Sequence, residues 1–250
     1  MVKPQFALIR EAAKAYGIHE LEATGYEADD VIATLVTMAM KEGVDCHILS
    51  GDKDLMQLIT PLERTNSYVH VIDPMSMTRV DYDAVVEKWG VGPELIGDLL
   101  AIVGDTSDNI PGIKGLGPKT GTFLLNQFKS LETILANPGA IEKKAQRMKI
   151  EANIDIARLS RQLVELVRDI PREAMTFPED CLSIADLRMK GLAQERLLKF
   201  YDQMGFRDLK KRLEGRLSGK AVTSRTKRNT WKSREKATVP QPEDFDDVPF

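Results

Sequence analysis

Apolar and polar positions in the first third of the chain follow two different periods. ADDVIATLVTMAM, Ala28 to Met40, repeats its apolar residues at helical spacing and carries acids in its first turn, which predicts a helix. Before it, Glu20 to Thr24 reads as a short strand; after it, VDCHILS, Val44 to Ser50, reads as an apolar, partly β-branched one. A helix from about Asp54 through Ile59 and a strand SYVHVI, Ser67 to Ile72, follow. The order β-α-β-α-β predicts a parallel sheet with crossover helices. From about Asp81 the period is helical throughout: VDYDAVVEKWG, PELIGDLLAIVG and TGTFLLNQF, then Leu131 to Leu135, Ile141 to Leu166 and Leu192 to Leu213. No internal repeat of roughly 20 to 50 residues interrupts this plan. It divides the chain into an α/β part over residues 1–80, a helical part over 81–217 and a tail over 218–250.

Composition sharpens the picture only in places. With 250 residues, 42% hydrophobic and 29% charged, the chain can bury a substantial core in one domain of roughly 200 residues or in two smaller ones. No apolar run approaches the roughly 18 residues needed to span a bilayer, and the start, MVKPQFALIREAAKAYG, lacks the layout of a signal peptide. Cys46 and Cys181 have no metal-ligand spacing and read as inert thiols in a reducing compartment. His19, His47 and His70 are scattered and read as structural. The net charge of -3 hides an asymmetry: Arg207 to Lys236 holds twelve Lys or Arg against three acids, whereas Ala237 to Phe250 holds four acids and no base. A basic stretch this poor in apolar residues predicts a disordered tail, either simply solvated or available to nucleic acid.

The candidate chemistry lies in three acidic clusters. GYEADD places Glu27, Asp29 and Asp30 at the start of the first predicted crossover helix, and SGDKD places Asp52 and Asp54 directly after the second strand. In an open parallel sheet these strand ends border the binding crevice. Taken alone, the first cluster is equally well read as acids stabilising a helix N-terminus, and the second as a solvated turn. Together they crowd four or five carboxylates at one edge, an arrangement that hard, oxygen-seeking cations such as Mg2+ or Mn2+ relieve. GDTSDNIPGIKGLGPKT adds Asp105 and Asp108, spaced to share one face of a turn, as a pair of ions would require. Its second half, Gly112 to Thr120, reads as a hairpin between helices. Gly112, Gly115 and Gly117 allow tight turns, while Lys114, Lys119, Thr120 and the amides of the next helix can bind a phosphodiester without reading bases. A plain interhelical turn is the alternative; a Walker A loop is excluded by spacing.

These three motifs, in this order, closely resemble the 5'-nuclease family, in particular the 5'-3' exonuclease domain of bacterial DNA polymerase I and its stand-alone relatives, with flap endonucleases more distant. The resemblance runs from about Phe6 to Leu217 and includes LSRQLVELVRDIP and LLKFYDQMGFRDL. It implies an α/β, PIN-like domain followed by an all-helical helix-three-turn-helix region that binds DNA. It also implies two Mg2+ or Mn2+ ions held by Glu27, Asp29, Asp30, Asp52, Asp54, Asp105 and Asp108, which would be the catalytic set, and K+ at the hairpin through carbonyls from about Ile113 to Pro118. The implied activity is metal-dependent cleavage of DNA 5' ends and flaps in replication or repair, by an intracellular monomer; chloroplast and mitochondrion are left open as compartments. Family members begin with a strand bearing another metal-binding Asp and a basic helical arch, and this chain starts after both. The expectation is therefore either an enzyme or a catalytically impaired, sequence-independent DNA-binding module; a PIN-type ribonuclease is a weaker third reading.

Overall fold

The computed structural model describes residues 3–61, 67–178, 181, 183–188 and 193–218, so the expected disordered tail lies outside the described residues from 219 onward. The described residues form two compact units, one of residues 3–20, 187–188 and 193–218 and the other of those between 21 and 186. No helix among the described residues is long and apolar enough to cross a membrane.

In the larger unit, the predicted helix is α2 (Ala28–Lys41) and follows α1 (Lys3–Tyr16) of the smaller one. Val31, Ala33, Val36 and Ala39 form the buried stripe that its periodicity foretold. The strands are β1 (Cys46–Leu49) and β2 (Val69–Ile72), paired in parallel with Cys46 opposite Val69. Between them the expected helix is a 3-10 turn, Asp54–Leu58, that buries Leu55, Met56 and Leu58.

Two strand expectations need correction. Glu20 to Thr24 forms no strand of the sheet. Ala23 makes a single antiparallel bridge to Met175, with the Thr24 amide donating to the Ala174 carbonyl at 3.0 Å and the Thr176 amide to the Glu22 carbonyl at 2.7 Å. Two Glu and one Ala give this segment little β-propensity, and a distant loop satisfies its backbone instead. The sheet is also not purely parallel, because β3 (Arg79–Val80) pairs antiparallel with β2. An Asp-Pro turn makes that hairpin: Asp73 Oδ1 accepts the amides of Met75 and Ser76, each at 2.8 Å.

From there the larger unit is helical: α3 (Tyr82–Trp89), α4 (Ile96–Val103), α5 (Pro118–Phe128), α6 (Leu131–Ala136), α7 (Lys144–Glu151) and α8 (Ile154–Leu163). Helix α4 is apolar almost all round and is buried on nearly every side, which makes it the axis of the unit. Asp98 on α4 fixes its neighbours by accepting the Leu131 amide at 2.8 Å and the Arg161 guanidinium of α8 at 2.9 Å. The smaller unit packs Ala15 of α1 with Leu197, Phe200 and Tyr201 of α9 (Gln194–Gln203) and Leu213 of α10 (Arg207–Leu217).

The segment after α4 folds back on its own start. The Asp105 amide donates to the Ile110 carbonyl at 2.9 Å, the Ile110 amide to the Asp105 carbonyl at 2.7 Å, and the Ile113 amide to the Ile102 carbonyl at 2.7 Å. Gly112, at φ +60°, lies so close that a Cβ there would stand 2.3 Å from the Gly104 nitrogen. Its buried amide donates to Ser160 Oγ of α8 at 3.1 Å. Replacing Ser160 with Ala should leave that amide without an acceptor and cost about 1–3 kcal/mol, read as a lower urea midpoint at unchanged slope. An unchanged midpoint would mean that α8 does not hold the loop through this contact.

Candidate metal centre and hairpin

Short polar side chains shape the turn after β1. Ser50 Oγ accepts the Asp52 amide at 3.0 Å, and Asp52 Oδ1 accepts the Asp54 amide at 3.0 Å, so each residue fixes the next and Asp54 opens the 3-10 turn. The loop after α4 delivers Asp105 and Asp108 to the same place. Asp54, Asp105 and Asp108 each bring a carboxylate oxygen within 4.8 Å of the others.

The three carboxyls differ in environment. Asp105 is 1% exposed, yet Lys53 Nζ stands 2.7 Å from its Oδ2, and the amide and hydroxyl of Ser107 both donate to its Oδ1. Burial raises its pKa, but the Lys53 ammonium and the Ser107 donors outweigh that and hold it below the usual carboxylate range. Asp54 lacks such help: its Oδ1 is buried with no hydrogen-bond donor. Burial, then Asp52, Asp108 and Asp105, push its carboxyl up to about 7. Asp108 is raised by burial and by Asp105. Asp29 is raised by burial, then by Asp52, Glu27, Asp30 and Asp108, which brings the first turn of α2 into the same negative field.

Asp29, Asp30, Asp52, Asp54, Asp105 and Asp108 share one field, and Glu27 is an exposed residue at the N-terminus of α2 that adds to it. Asp30 also accepts two amides, Oδ1 that of Val167 at 2.9 Å and Oδ2 that of Glu27 at 3.2 Å. Residues 164–168 also hold the other acidic turn: Gln57 Nε2 donates to the Val164 carbonyl at 2.9 Å and Arg168 to the Gln57 carbonyl at 3.1 Å. The cluster fits a hard divalent cation, because it offers three oxygens in reach of one point and one of its carboxylates has a bare, buried oxygen. Sequence reasoning passed over Lys53, although it stands inside SGDKD between two of the acids it helps to neutralise.

The hairpin is anchored by Ile113 and Leu116, 2% and 4% exposed, and turns through Gly115 at φ +81°. Gly117 precedes α5, whose first turn begins at Pro118 and has no side-chain cap. Lys114, Gly115, Gly117 and Lys119 are exposed and Thr120 is half-buried, whereas Gly112 is buried and shapes the loop. Three of the carbonyls expected to meet K+ already accept N–H donors. Ile113 accepts the Leu116 amide at 3.0 Å, Gly117 accepts the amides of Thr120 and Gly121 at 3.0 Å each, and Gly115 accepts Lys149 Nζ of α7 at 2.6 Å. Lys149 is a second residue that sequence reasoning missed, and no local pattern signals it.

Residues 1–90 match the family model described as the N-terminal resolvase-like domain of 5'-3' exonucleases, and residues 91–189 match that of their C-terminal SAM fold. DNA polymerase I of Rhizobium leguminosarum is 42% identical over 210 residues, which are 84% of this chain and 19% of that one. DNA polymerase I of Bacillus subtilis is 37% identical over 212 residues, 84% of this chain and 23% of that one. The chain spans about a fifth of the length of the curated relatives it matches. Among solved structures, a bacteriophage T5 flap endonuclease in a pseudo-enzyme-product complex with DNA and metal ions superimposes with a TM-score of 0.51 at 22% identity, over 76% of this chain and 61% of that one. The catalytic core of Rad2 in complex with a DNA substrate gives 0.50 at 15% identity, over 81% of this chain and 65% of that one. At these identities the likeness carries the fold.

The raised carboxyls set a pH dependence for the metal-free protein. Asp54 binds its proton more tightly folded, at about 7, than at the ordinary 3.8, so its contribution to stability is complete below the ordinary value and is lost as pH rises towards 7. Asp29 and Asp108 act in the same sense, while Asp105, held low, loses its contribution on the acid side. Thermal unfolding without metal should therefore show a midpoint that falls as pH rises from about 4 to 7. Millimolar Mg2+ should restore the midpoint at neutral pH, because an ion bound only by the folded state stabilises it. Asp54→Asn should flatten the pH profile and blunt the Mg2+ response. A profile flat in the wild type and indifferent to Mg2+ would rule out the site.

Proposed function

As the chain belongs to the 5'-3' exonuclease family, whose members are nucleases, we propose that it acts on DNA 5' ends and flaps as a metal-dependent 5'-3' exonuclease or flap endonuclease, in replication or repair. The observation that carries this reading is the bare, buried oxygen of Asp54 among the carboxylates of Asp105 and Asp108, in the same compact unit as the hairpin. The T5 flap endonuclease with DNA and metal ions supports it by analogy of fold.

Asp54, Asp105 and Asp108 would hold one divalent ion, and Asp29 and Asp52, with Glu27 at the margin, would complete the place for a second, either Mg2+ or Mn2+. Asp30 belongs to the same ligand set; its hydrogen bonds fix α2 to the 164–170 segment and leave each oxygen a lone pair for an ion. When bound, such ions supply the positive charge that polarises a phosphodiester for hydrolysis. The protein's own contribution is to keep the ligands from swinging: the Ser50–Asp52–Asp54 chain of hydrogen bonds and the Lys53–Asp105 pair hold the carboxylates in place before any ion arrives. Lys53 also removes one unit of negative charge from the centre, leaving a net charge that a pair of divalent ions can offset. The hairpin would grip the DNA backbone through Lys114, Lys119 and the amides around Gly115 and Gly117, without sequence preference. The centre draws Asp29, Asp52 and Asp54 from residues 1–80 and Asp105 and Asp108 from 81–217, which also carry the hairpin, and the chain would act as a monomer.

Single-turnover cleavage of a 5'-flap duplex, with and without Mg2+, tests the proposal. Wild type should cut only with metal, and Asp54→Asn should lower the rate about 100-fold or more while leaving duplex affinity within a few-fold. Metal-independent cutting, or an Asp54→Asn rate equal to wild type, would refute the assignment. Binding with no cleavage by the wild type would reduce the chain to a DNA-binding module.

A further inference from the structure

The bond from Lys149 to the hairpin is unusual in what it joins. The Gly115 carbonyl stands at the tip of the turn proposed to grip a phosphate, and an exposed carbonyl oxygen there would repel phosphate oxygens. Lys149 Nζ covers it at 2.6 Å from a helix 34 residues further along the chain. An ammonium has three donors, and this contact uses one, so the carbonyl becomes a seat for a positive charge with donors to spare. Gly115 is what makes room for it: a Cβ at that position would stand 2.6 Å from Lys149 Nζ and 3.1 Å from its Cε. The Lys149 side chain is exposed, as are Lys114 and Lys119 nearby in the hairpin, and the uncapped first turn of α5 adds the positive end of its dipole.

We propose that Lys149 is the hairpin's own tethered cation, anchored on the Gly115 carbonyl and meeting one backbone phosphate of the bound nucleic acid in place of a K+ ion. This rests on the DNA-binding reading above. The carbonyls of Ile113 and Gly115 keep a lone pair beside their donors, but a monovalent metal ion at the turn would meet the charge of the ammonium already seated on Gly115 and be repelled by it. A tethered ammonium supplies the same unit charge without leaving an ion to be bound from solution.

The experiment measures duplex affinity against salt for the wild type, Lys149→Met and Lys149→Arg, with thermal midpoints to confirm folding. Loss of one phosphate contact should make the log–log salt slope of Lys149→Met shallower by about 0.9, and Arg should restore it. Wild-type affinity should be the same in potassium chloride and tetramethylammonium chloride at equal concentration. A Lys149→Met slope equal to wild type, even with weaker binding, would reduce Lys149 to a structural pin and overturn the proposal. So would a tenfold loss of wild-type affinity when K+ is replaced. Failure of the wild type to bind any duplex would bring down the DNA-binding reading and this proposal with it, whereas failure confined to the Lys149 results leaves that reading standing.

Discussion

The close approach of Gly112 to Gly104 is the constraint on which both halves of the site depend. The chain leaves α4 at Gly104, makes a loop of seven residues, 105–111, and returns so tightly that neither glycine can carry a side chain: a Cβ on Gly104 would stand 2.8 Å from the Ile110 carbonyl oxygen, and one on Gly112 would strike the Gly104 backbone. Because the loop closes there, Asp105 is buried at its start, where Lys53 can reach it, and Asp108 is thrown out at its tip towards Asp54. The same closure starts the hairpin at a fixed point, since the Ile113 amide bonds back to Ile102 of α4. One backbone contact therefore positions the carboxylates and the turn proposed to grip phosphate together, which explains why acidic residues and glycines follow one another so closely in this stretch.

Closing the loop has an electrostatic cost. Two bare carboxylates about 4 Å apart repel by roughly 4 kcal/mol at the effective dielectric of a protein surface, and here several face one another. The fold meets part of that cost with its own charge, through Lys53, and part with hydrogen bonds to Asp105 and Asp52. It leaves Asp54 Oδ1 buried without a donor. Burial, then Asp52, Asp108 and Asp105, push the Asp54 carboxyl up to about 7, a repulsion that a cation bound there would relieve.

What was legible in the sequence was local. Helix α2, strands β1 and β2 and the helices from Tyr82 onward follow from periodicity and turn residues within short windows, and the acidic residues were visible because each cluster directly follows an element whose end fixes it. What was not legible depended on partners far along the chain. Glu20 to Thr24 has the length of a strand but pairs with residues 174–176 and not with the sheet. Asp30 is indistinguishable from Asp29 in GYEADD, yet its Oδ1 accepts the amide of Val167, far along the chain. No rule of spacing connects Lys149 to Gly115. Strand β3 was missed for a different reason: two residues are too few to show a period, although the Asp-Pro turn before it was a signal that could have been read.

Residues 164–170 show how such distant contacts organise the site. LSRQLVELVRDIP contains no candidate ligand, but its backbone accepts Gln57 of the 3-10 turn and donates to Asp30 and Thr34 of α2, with Arg168 reaching back to Gln57. The segment thus ties the two turns that carry Asp29 and Asp54 to one strip of chain, while Ser160 and Arg161, just before it on α8, tie that strip to the loop of Asp105 and to α4. Each carboxylate is held by a different local turn, and local turns are the softest parts of a fold. Joining them through a common strip makes their positions interdependent, so the geometry of the acidic centre rests on residues that never touch it.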